Sequence, residues 1–185
     1  MRPFGIGGLA VVQRIMIVGQ PGSGKSWLAR QLGARLALPV YHIDHIHWQS
    51  GWVERDRAEK DRLCLAVEAL PAWIFEGGHS ATYANRVVRA DLLIWLDMPL
   101  PLRLWRVTRR CLTGLGRNRP DLPEGCPERL VNLPEFWGFI WRTRRTARAR
   151  MAQLMAEAPA GLRVLHLRSR REVQACLAAW PRTGP

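Results

Sequence analysis

The amino-acid sequence predicts an α/β fold, in which helices cover both faces of a parallel β-sheet. Short strand-like segments alternate with helix-like segments along the 185 residues, which is the pattern of a parallel sheet. Segments such as IMIV and LLIWL are apolar at every position, as in strands buried on both sides. A glycine-rich turn separates the first strand from the first helix. The length suits one domain, residues 1–185, with a mobile insert.

Each predicted element follows from the spacing of its apolar residues and from the Gly and Pro residues that end it. Strands are predicted at 15–18, 40–43, 72–75, 91–96 and 164–167. Helices are predicted at 26–38, 54–70, 82–88, 100–111 and 171–179, with a long helical stretch over 128–156 that bends at Pro134. Residues 113–127 are rich in Gly, Pro and Arg and are predicted to form a loop.

The charge of the chain is strongly basic, at +13, and only Lys25 and Lys60 are lysines among its 28 basic residues. Twelve arginines and four acidic residues lie within 101–150, a concentration that invites a nucleic-acid hypothesis. No apolar run reaches the length of a membrane helix, so we expect a cytoplasmic protein without a membrane partner. The four cysteines are scattered and favour ordinary reduced thiols.

The most specific motif is GQPGSGKS at residues 19–26, which matches the phosphate-binding pattern G-x-x-x-x-G-K-[ST] between a strand and a helix. Its glycines permit positive φ and close approach of the backbone. Successive amides then face an anion at the positive end of the helix. The predicted nucleotide contacts are Gly19, Gln20, Pro21, Gly22, Ser23, Gly24, Lys25, Ser26 and Trp27.

The motif also assigns chemistry to two side chains. The Lys25 ammonium can reach the β- and γ-phosphates, and the Ser26 hydroxyl can bind Mg²⁺. The sequence therefore predicts a nucleoside triphosphate and Mg²⁺ as cofactors, with ATP preferred. It does not separate ATP from GTP, because no base-reading motif such as NKxD is present.

Three carboxylates follow predicted strands and should face the same crevice, since the carboxyl ends of parallel strands share one edge of the sheet. They are Asp44, Glu76 and Asp97. Asp44 is predicted to position an acceptor or take its proton, and to join Ser26 in holding the metal. Asp97 is equally well explained as a turn or cap residue.

The surroundings of these carboxylates suit a small acceptor molecule. Trp48 and Trp52 offer aromatic faces, although both also suit a packing role. Gly77 and Gly78 follow Glu76 and let the backbone come close to a ligand, although the same pattern also forms a tight turn. The predicted acceptor contacts are Asp44, Trp48, Trp52, Glu76, Gly77 and Gly78.

Arginines in and after the predicted helix 100–111 form the third part of the predicted site. Guanidinium groups delivered by a closing loop can neutralise the charge that phosphoryl transfer spreads over oxygen atoms. The residues predicted to act in this way are Arg106, Arg110 and Arg117. About half of the arginines in this region are expected simply to face solvent.

With these residues in place, the chain resembles the P-loop kinase-like DNA topology modulation proteins (the FlaR-related family), which are similar to adenylate and shikimate kinases. The resemblance is carried by the segments IMIVGQPGSGKS, HIDHIHWQSGW, WIFEGGHS, ADLLIWLDMP, RLWRVTRR and GCPERL with FWGFIW after it. It implies a three-layer α/β/α fold with strand order 2-3-1-4-5 and a lid over residues 112–127. It also implies a nucleotide contact at Arg168.

The chain departs from the family pattern at one place. The family carries Asp-Gly-Asn where this sequence has Glu76-Gly77-Gly78, and a tyrosine where it has His79. The departure concerns Glu76, Gly77 and Gly78, which are among the predicted acceptor contacts, so the family pattern does not support these three contacts.

The motifs together predict an ATP-dependent phosphotransferase that acts on a nucleotide or another small molecule. Two alternatives remain: a nucleotide-dependent regulator that binds nucleic acid through residues 103–150, and a simple NTPase. The less favoured nucleic-acid hypothesis depends on charge alone, because the sequence has no helix-turn-helix spacing or RNA-binding signature. The acceptor is not identified by any motif.

Overall fold

The computed structural model describes residues 12–180, as strands and helices that alternate along the chain. In chain order they are β1 (Arg14–Gly19), α1 (Lys25–Leu36), β2 (Val40–His42), α2 (Ile43–His47), β3 (Trp48–Gln49), β4 (Val53–Glu54), α3 (Arg57–Glu68), β5 (Trp73–Glu76), α4 (Tyr83–Arg89), β6 (Leu92–Leu96), α5 (Leu100–Thr113), α6 (Leu133–Ala156), β7 (Arg163–Leu167) and α7 (Arg170–Ala178).

Five of the strands form one parallel sheet in the order β2-β5-β1-β6-β7. Counted along the chain, these strands stand in the order 2-3-1-4-5, which confirms the predicted topology. β1 lies at the centre, where Ile15 pairs with Ile74 of β5 on one side and with Leu92 of β6 on the other. The carboxyl ends of all five strands therefore meet at one edge, next to the glycine-rich turn after β1.

Helices cover both faces of this sheet, which explains why the strands are apolar at every position. Ile15 and Ile17 of β1 pack with α1 and α7 in one core cluster. Met16 and Val18 point to the opposite face and pack with residues of α3, α4 and α6. Because side chains alternate along a strand, each strand contributes to both clusters. The predicted three-layer α/β/α arrangement is confirmed.

Two local features differ from the prediction. Helix α6 does not bend at Pro134 but begins at Leu133, after a short 3-10 turn over Leu130–Asn132. Proline lacks an amide hydrogen and is tolerated in the first turn of a helix, so Pro134 marks a start. The chain after β2 also forms α2 and the antiparallel hairpin β3–β4, which no sequence pattern indicated.

The segment between α5 and α6, residues 114–129, is called the α5–α6 loop below. Its base is closed by a bridge between Leu115 and Glu128, supported by a hydrogen bond from the Gly116 amide to the Glu128 carbonyl (3.0 Å). It contains most of the predicted lid. Among the described helices, none is both long enough and apolar enough to cross a membrane.

Candidate active site

The turn between β1 and α1 has the geometry of an anion cradle. Gly22 and Gly24 adopt left-handed φ angles of +77° and +99°, a conformation that favours glycine. A Cβ atom at Gly22 would lie 2.5 Å from the carbonyl oxygen of Arg103, so no larger residue fits there. Helix α1 begins directly after Gly24 without a side-chain cap. Its first amides are therefore available to a phosphate.

The side chains of Lys25 and Ser26 lie next to this turn. The Lys25 ammonium lies 3.5 Å from the carbonyl oxygen of Gln20, within the turn itself. The Ser26 hydroxyl lies near two carboxylates, those of Glu76 and Asp121. It contributes to the lowered pKa of each, after His42 and Lys25 for Glu76 and after Arg119 for Asp121. Ser26 thus faces acidic groups from two different parts of the chain.

Glu76 ends β5 at the floor of the crevice, where it is 2% exposed. Its Oε1 atom lies 2.6 Å from Nδ1 of His42, at the end of the neighbouring strand β2. Burial alone would raise the pKa of Glu76. The hydrogen bond with His42 and the charge of Lys25 together outweigh burial and lower the pKa. Glu76 is therefore a buried, ionised carboxylate.

Asp44 lies in the first turn of α2 and differs from Glu76 in its environment. Its side chain is 47% exposed, so a ligand in the crevice can reach it. Even so, the surrounding protein displaces bulk water and raises the pKa of Asp44, and the negative charge of Glu76 raises it further. Lys25 and Arg119 oppose this shift without cancelling it. An accessible carboxylate with a raised pKa suits a group that accepts a proton.

The α5–α6 loop is docked over this crevice. Four hydrogen bonds join it to the segment from α2 to β4: His45 Nε2 with the Pro120 carbonyl (3.0 Å), the Gly51 amide with the Gly125 carbonyl (3.0 Å), Trp52 Nε1 with the Pro127 carbonyl (3.1 Å), and the Cys126 thiol with the Gln49 carbonyl (3.2 Å). The predicted acceptor residue Trp52 thus contacts the loop. Trp48 packs edge-to-face against it, with ring centroids 5.4 Å apart. Both indoles support the docked loop.

The three arginines predicted to act in catalysis lie in different places. Arg106 donates from Nη1 to the carbonyl oxygens of Ser23 (2.9 Å) and Gly22 (3.4 Å), so it braces the phosphate-binding turn. Arg110 forms an ion pair with the buried Glu128 (Nε–Oε1 2.8 Å) at the base of the α5–α6 loop. Arg117 is exposed in the turn that follows.

The structure brings a different loop arginine, Arg119, into the crevice. Its guanidinium lies 3.0 Å from Glu128, 3.4 Å from Asp121 and 4.0 Å from Asp44. Asp121 itself is 5% exposed and approaches Arg30 of α1 (3.8 Å). Burial would raise the pKa of Asp121, but Arg119 and Ser26 lower it. Arg119 and Asp121 were not among the residues predicted for the site, and their only signal in the sequence is their place in a Gly- and Pro-rich insert.

The remaining predicted residues lie at separate places in the structure. Gly77 has a φ of +110°, and a Cβ there would lie 2.7 Å from Cβ of Ile43, so β5 and α2 meet closely at this point. Trp27 is 43% exposed at the start of α1. Arg168 donates to Nδ1 of His166 (3.1 Å). Trp27, Gly78 and Arg168 stay predicted ligand contacts.

Asp97, the third strand-end carboxylate, is engaged by protein groups. Its Oδ2 atom accepts from Arg148 of α6 (Nη2, 3.0 Å) and lies 3.1 Å from His166 Nε2. The structure thus separates it from Asp44 and Glu76, which face the docked loop.

The oxygen donors near Ser26 fit a magnesium ion, because Mg²⁺ prefers carboxylate, hydroxyl and water oxygens. The Ser26 hydroxyl and the carboxylates of Glu76 and Asp121 are such donors, and the predicted ligand Asp44 borders the same crevice. Within residues 12–180, no group of three His, Cys, Asp or Glu side chains is arranged to hold a metal by itself.

Replacing Gly125 by alanine is expected to loosen the docked loop. Gly125 has a φ of +79°, and an added Cβ would lie 2.1 Å from the Ser50 hydroxyl. A left-handed L-residue costs about 1–2 kcal/mol, and Ser50, which neighbours Gly51, must shift to make room for the new Cβ. Hydrogen exchange of the Gly51 amide, which donates to the Gly125 carbonyl, should become about tenfold faster. Gly116→Ala is the matched control, because Gly116 also has positive φ (+71°) but has open space around it. Equal exchange rates in the two variants would contradict the docking role.

Comparisons with solved structures identify the class of fold. Shikimate kinase from Acinetobacter baumannii, in complex with shikimate, matches with a TM-score of 0.55 at 15% identity, over 91% of this chain and 90% of that chain. Shikimate kinase from Bacteroides thetaiotaomicron matches with a TM-score of 0.51 at 16% identity, over 91% and 95%. Deoxyadenosine kinase from M. mycoides with bound dATP matches with a TM-score of 0.50 at 12% identity, over 90% and 98%. The chain has the fold of the P-loop kinases.

Sequence comparisons do not assign the chain to a particular family within this class of fold. No family model matches the chain, and the search of curated proteins found no match.

Proposed function

We propose that the protein is a cytoplasmic ATP-dependent phosphotransferase that acts on a small molecule with a hydroxyl or phosphate acceptor group. One observation carries the proposal: the phosphate-binding turn with Lys25 opens onto Asp44, Glu76 and Asp121, and an arginine-bearing loop is docked over them. A triphosphate cradle alone would suit any P-loop NTPase. The docked loop is the feature that would shield a second substrate from water during transfer.

The similar structures support the same reaction class. Two of them are shikimate kinases and one is a deoxyadenosine kinase, so this fold serves phosphoryl transfer to small hydroxyl compounds. At 12–16% identity they do not select an acceptor for this chain. The resemblance to DNA topology modulation proteins likewise stays a prediction from sequence motifs.

Each residue of the site has a separate role in the proposed reaction. The amides of the turn and Lys25 bind the triphosphate, and a bound Mg²⁺, held through Ser26 with Asp44 at the border of its site, would supply further positive charge. Asp44 orients the acceptor hydroxyl and takes its proton. The acceptor oxygen forms a bond to the γ-phosphorus, the bond from that phosphorus to the β–γ bridging oxygen breaks, and ADP leaves. Arg119 stabilises the negative charge on the transferred group.

The proposal is tested by measuring ADP release with Mg·ATP across a panel of acceptors. The panel contains shikimate, deoxynucleosides, nucleoside monophosphates and sugars, each compared with ATP alone. We expect one class to accelerate ADP release by at least about 100-fold, because acceptor binding completes the site. Equal rates with every acceptor would identify a simple NTPase and refute the proposal.

Asp44→Asn is expected to lower kcat by about 10²–10⁴-fold, the usual contribution of a positioned general base. Because the pKa of Asp44 is raised, the wild-type rate should increase with pH over a range above the usual aspartate value of about 3.9. The base works only when ionised, so activity is lost as pH falls through the raised pKa. The variant should lack this acid limb in its pH–rate profile.

Asp56→Asn provides the matched control. Asp56 caps α3 by accepting from the amides of Ala58 and Glu59 and is exposed, away from the crevice. Because asparagine caps a helix about as well as aspartate, this variant should keep its stability as well as the wild-type kcat and pH profile. An unchanged profile in Asp44→Asn would remove Asp44 from the proposed role.

A further inference from the structure

A groove of about 860 Å³ lies beside the phosphate-binding turn, between α6 and the carboxyl ends of β6 and β7. Gln20 of the turn borders it, and its side-chain amide donates to the carbonyl oxygen of Arg144 in α6 (2.8 Å). Apolar side chains form much of the wall: Trp95, Met98, Leu100, Ala149, Ala152 and Met155. Apart from Gln20, which belongs to the phosphate-binding turn, the proposed reaction uses none of these residues.

The charged groups of the groove are strongly unbalanced. Five arginines line it, with Asp97 as the single acidic residue of the lining: Arg103, Arg144, Arg145, Arg148 and Arg168. Asp97 is already occupied by Arg148 and His166. A net positive, partly apolar cavity of this size suits an anion that also carries an apolar part.

Arg103 is the decisive residue, because two of its three guanidinium nitrogens are buried without a hydrogen-bond acceptor in the described part of the chain. The residue is 2% exposed, and its Nε and Nη1 atoms have no hydrogen-bond acceptor anywhere in residues 12–180. Asp97 is the one acidic group whose charge acts on it, and the carboxylate oxygens of Asp97 are used elsewhere. A buried guanidinium with unsatisfied donors is destabilising. An oxyanion in the groove would satisfy those donors.

The wall of the groove is built for a flat or apolar group. Trp95 and His166 stack with ring centroids 4.0 Å apart and an interplanar angle of 2°. Arg168 and Asp97 fix the His166 ring at its edges. This pair is held rigidly, so a ligand can contact it without reordering side chains.

We propose that this groove is a second ligand site, which binds a small molecule bearing a phosphate or carboxylate group next to a ring or apolar portion. Arg103 binds the anionic group, and the arginines of α6 surround it. The contact between Gln20 and α6 joins the site to the phosphate-binding turn. The proposal does not depend on the kinase activity, because it concerns binding alone.

Calorimetric titration with phenyl phosphate tests the site, with benzoate as the carboxylate arm and phenol as the uncharged arm. We expect phenyl phosphate or benzoate to bind and phenol to fail, and the arm that binds identifies the anion. Arg103→Met should weaken that binding at least about tenfold, since it removes charged hydrogen bonds. Arg145→Met, at an exposed position of the groove wall, should weaken it less.

Two matched variants separate this site from its neighbours. Arg109→Met lies on the same helix, where Arg109 is exposed and stacks over Trp105 (5.5 Å), and should bind like wild type. Lys25→Met should also bind like wild type, because the groove does not need the triphosphate cradle. Loss of binding in Lys25→Met would mean that the probe occupies the cradle, and this result would overturn the proposal.

Stability distinguishes a ligand site from a structural arginine. If Arg103 serves a ligand, Arg103→Met should unfold at the same or higher urea concentration than wild type, because it removes an unpaired buried charge. A lower midpoint together with unchanged probe binding would assign Arg103 a structural role.

Failure of both anions to bind wild type would also overturn the proposal. The proposal would also be overturned if a short DNA duplex displaced the bound probe more effectively than free phosphate monoesters do. That result would mean that the arginines bind nucleic acid.

Discussion

Lys25→Met is expected to reduce ADP release by at least about 100-fold, with little change in stability. The Lys25 ammonium is the cation of the phosphate-binding turn, and removal of one preorganised charge from a developing oxyanion typically costs two to three orders of magnitude. Methionine keeps the length and apolar stem of the side chain. The change should appear in kcat, measured at saturating ATP, and in nucleotide affinity measured by calorimetry.

Arg163→Met is the control for this experiment. Arg163 begins β7 and is exposed, at the edge of the sheet opposite the crevice, so the variant removes one positive charge without touching the site. It should retain wild-type turnover. Nucleotide affinity that is equal in Lys25→Met and wild type would contradict the whole assignment of the turn.

Arg86→Met is expected to destabilise the protein by about 3–5 kcal/mol, the usual cost of leaving one partner of a buried ion pair uncompensated. Arg86 and Glu68 are both fully buried and pair at 2.9 Å. The Arg86 guanidinium also lies over the Phe75 ring, 4.0 Å from its centroid. Without Arg86, the Glu68 carboxylate keeps, within residues 12–180, the hydrogen bonds from Thr82 and Asn85. Urea unfolding at neutral pH measures the change.

The double variant Glu68→Gln/Arg86→Met should recover part of this loss, because no unpaired charge then remains in the core. Arg163→Met serves again as control and should change the free energy of unfolding by no more than about 0.5 kcal/mol. A loss below about 1 kcal/mol in Arg86→Met would show that the pair contributes little.

The Arg86 network also connects stability to the site. Arg86 donates from Nη1 to the carbonyl oxygen of Gly77 (3.3 Å), which directly follows Glu76. The buried ion pair thus holds the chain where β5 ends and Glu76 enters the crevice. We therefore expect that weakening the Arg86 contacts lowers acceptor-dependent turnover even while the protein is still folded.

Much of the fold could be predicted because its signals are local. The alternation of strands and helices and the position of the phosphate-binding turn follow from apolar runs, glycine spacing and the single motif at residues 19–26. The strand order was predicted from the resemblance to a known family, and the structure has that order. Helix α2 and the β3–β4 hairpin could not be predicted. They are short, and tertiary packing of the segment against the α5–α6 loop holds them.

The candidate site was predicted in part. Asp44 and Glu76 could be placed because a carboxylate at the end of a parallel strand faces the shared edge. Arg119 and Asp121 could not, because a Gly- and Pro-rich loop has no periodicity that tells which side chain points inward. Arg117 and Arg119 are two residues apart in such a loop, yet one is exposed and the other reaches Asp44.

Local sequence patterns were enough to predict a parallel sheet with a phosphate-binding turn after its first strand, since both depend on residues that are neighbours along the chain. Which charges meet across the crevice, and which are buried, became visible in the folded chain. Arg103 and Arg106 belong to one helix, yet packing buries Arg103 without a partner and sets Arg106 against the cradle. The physical reason is that burial and pairing depend on contacts between distant segments, which a local pattern does not specify.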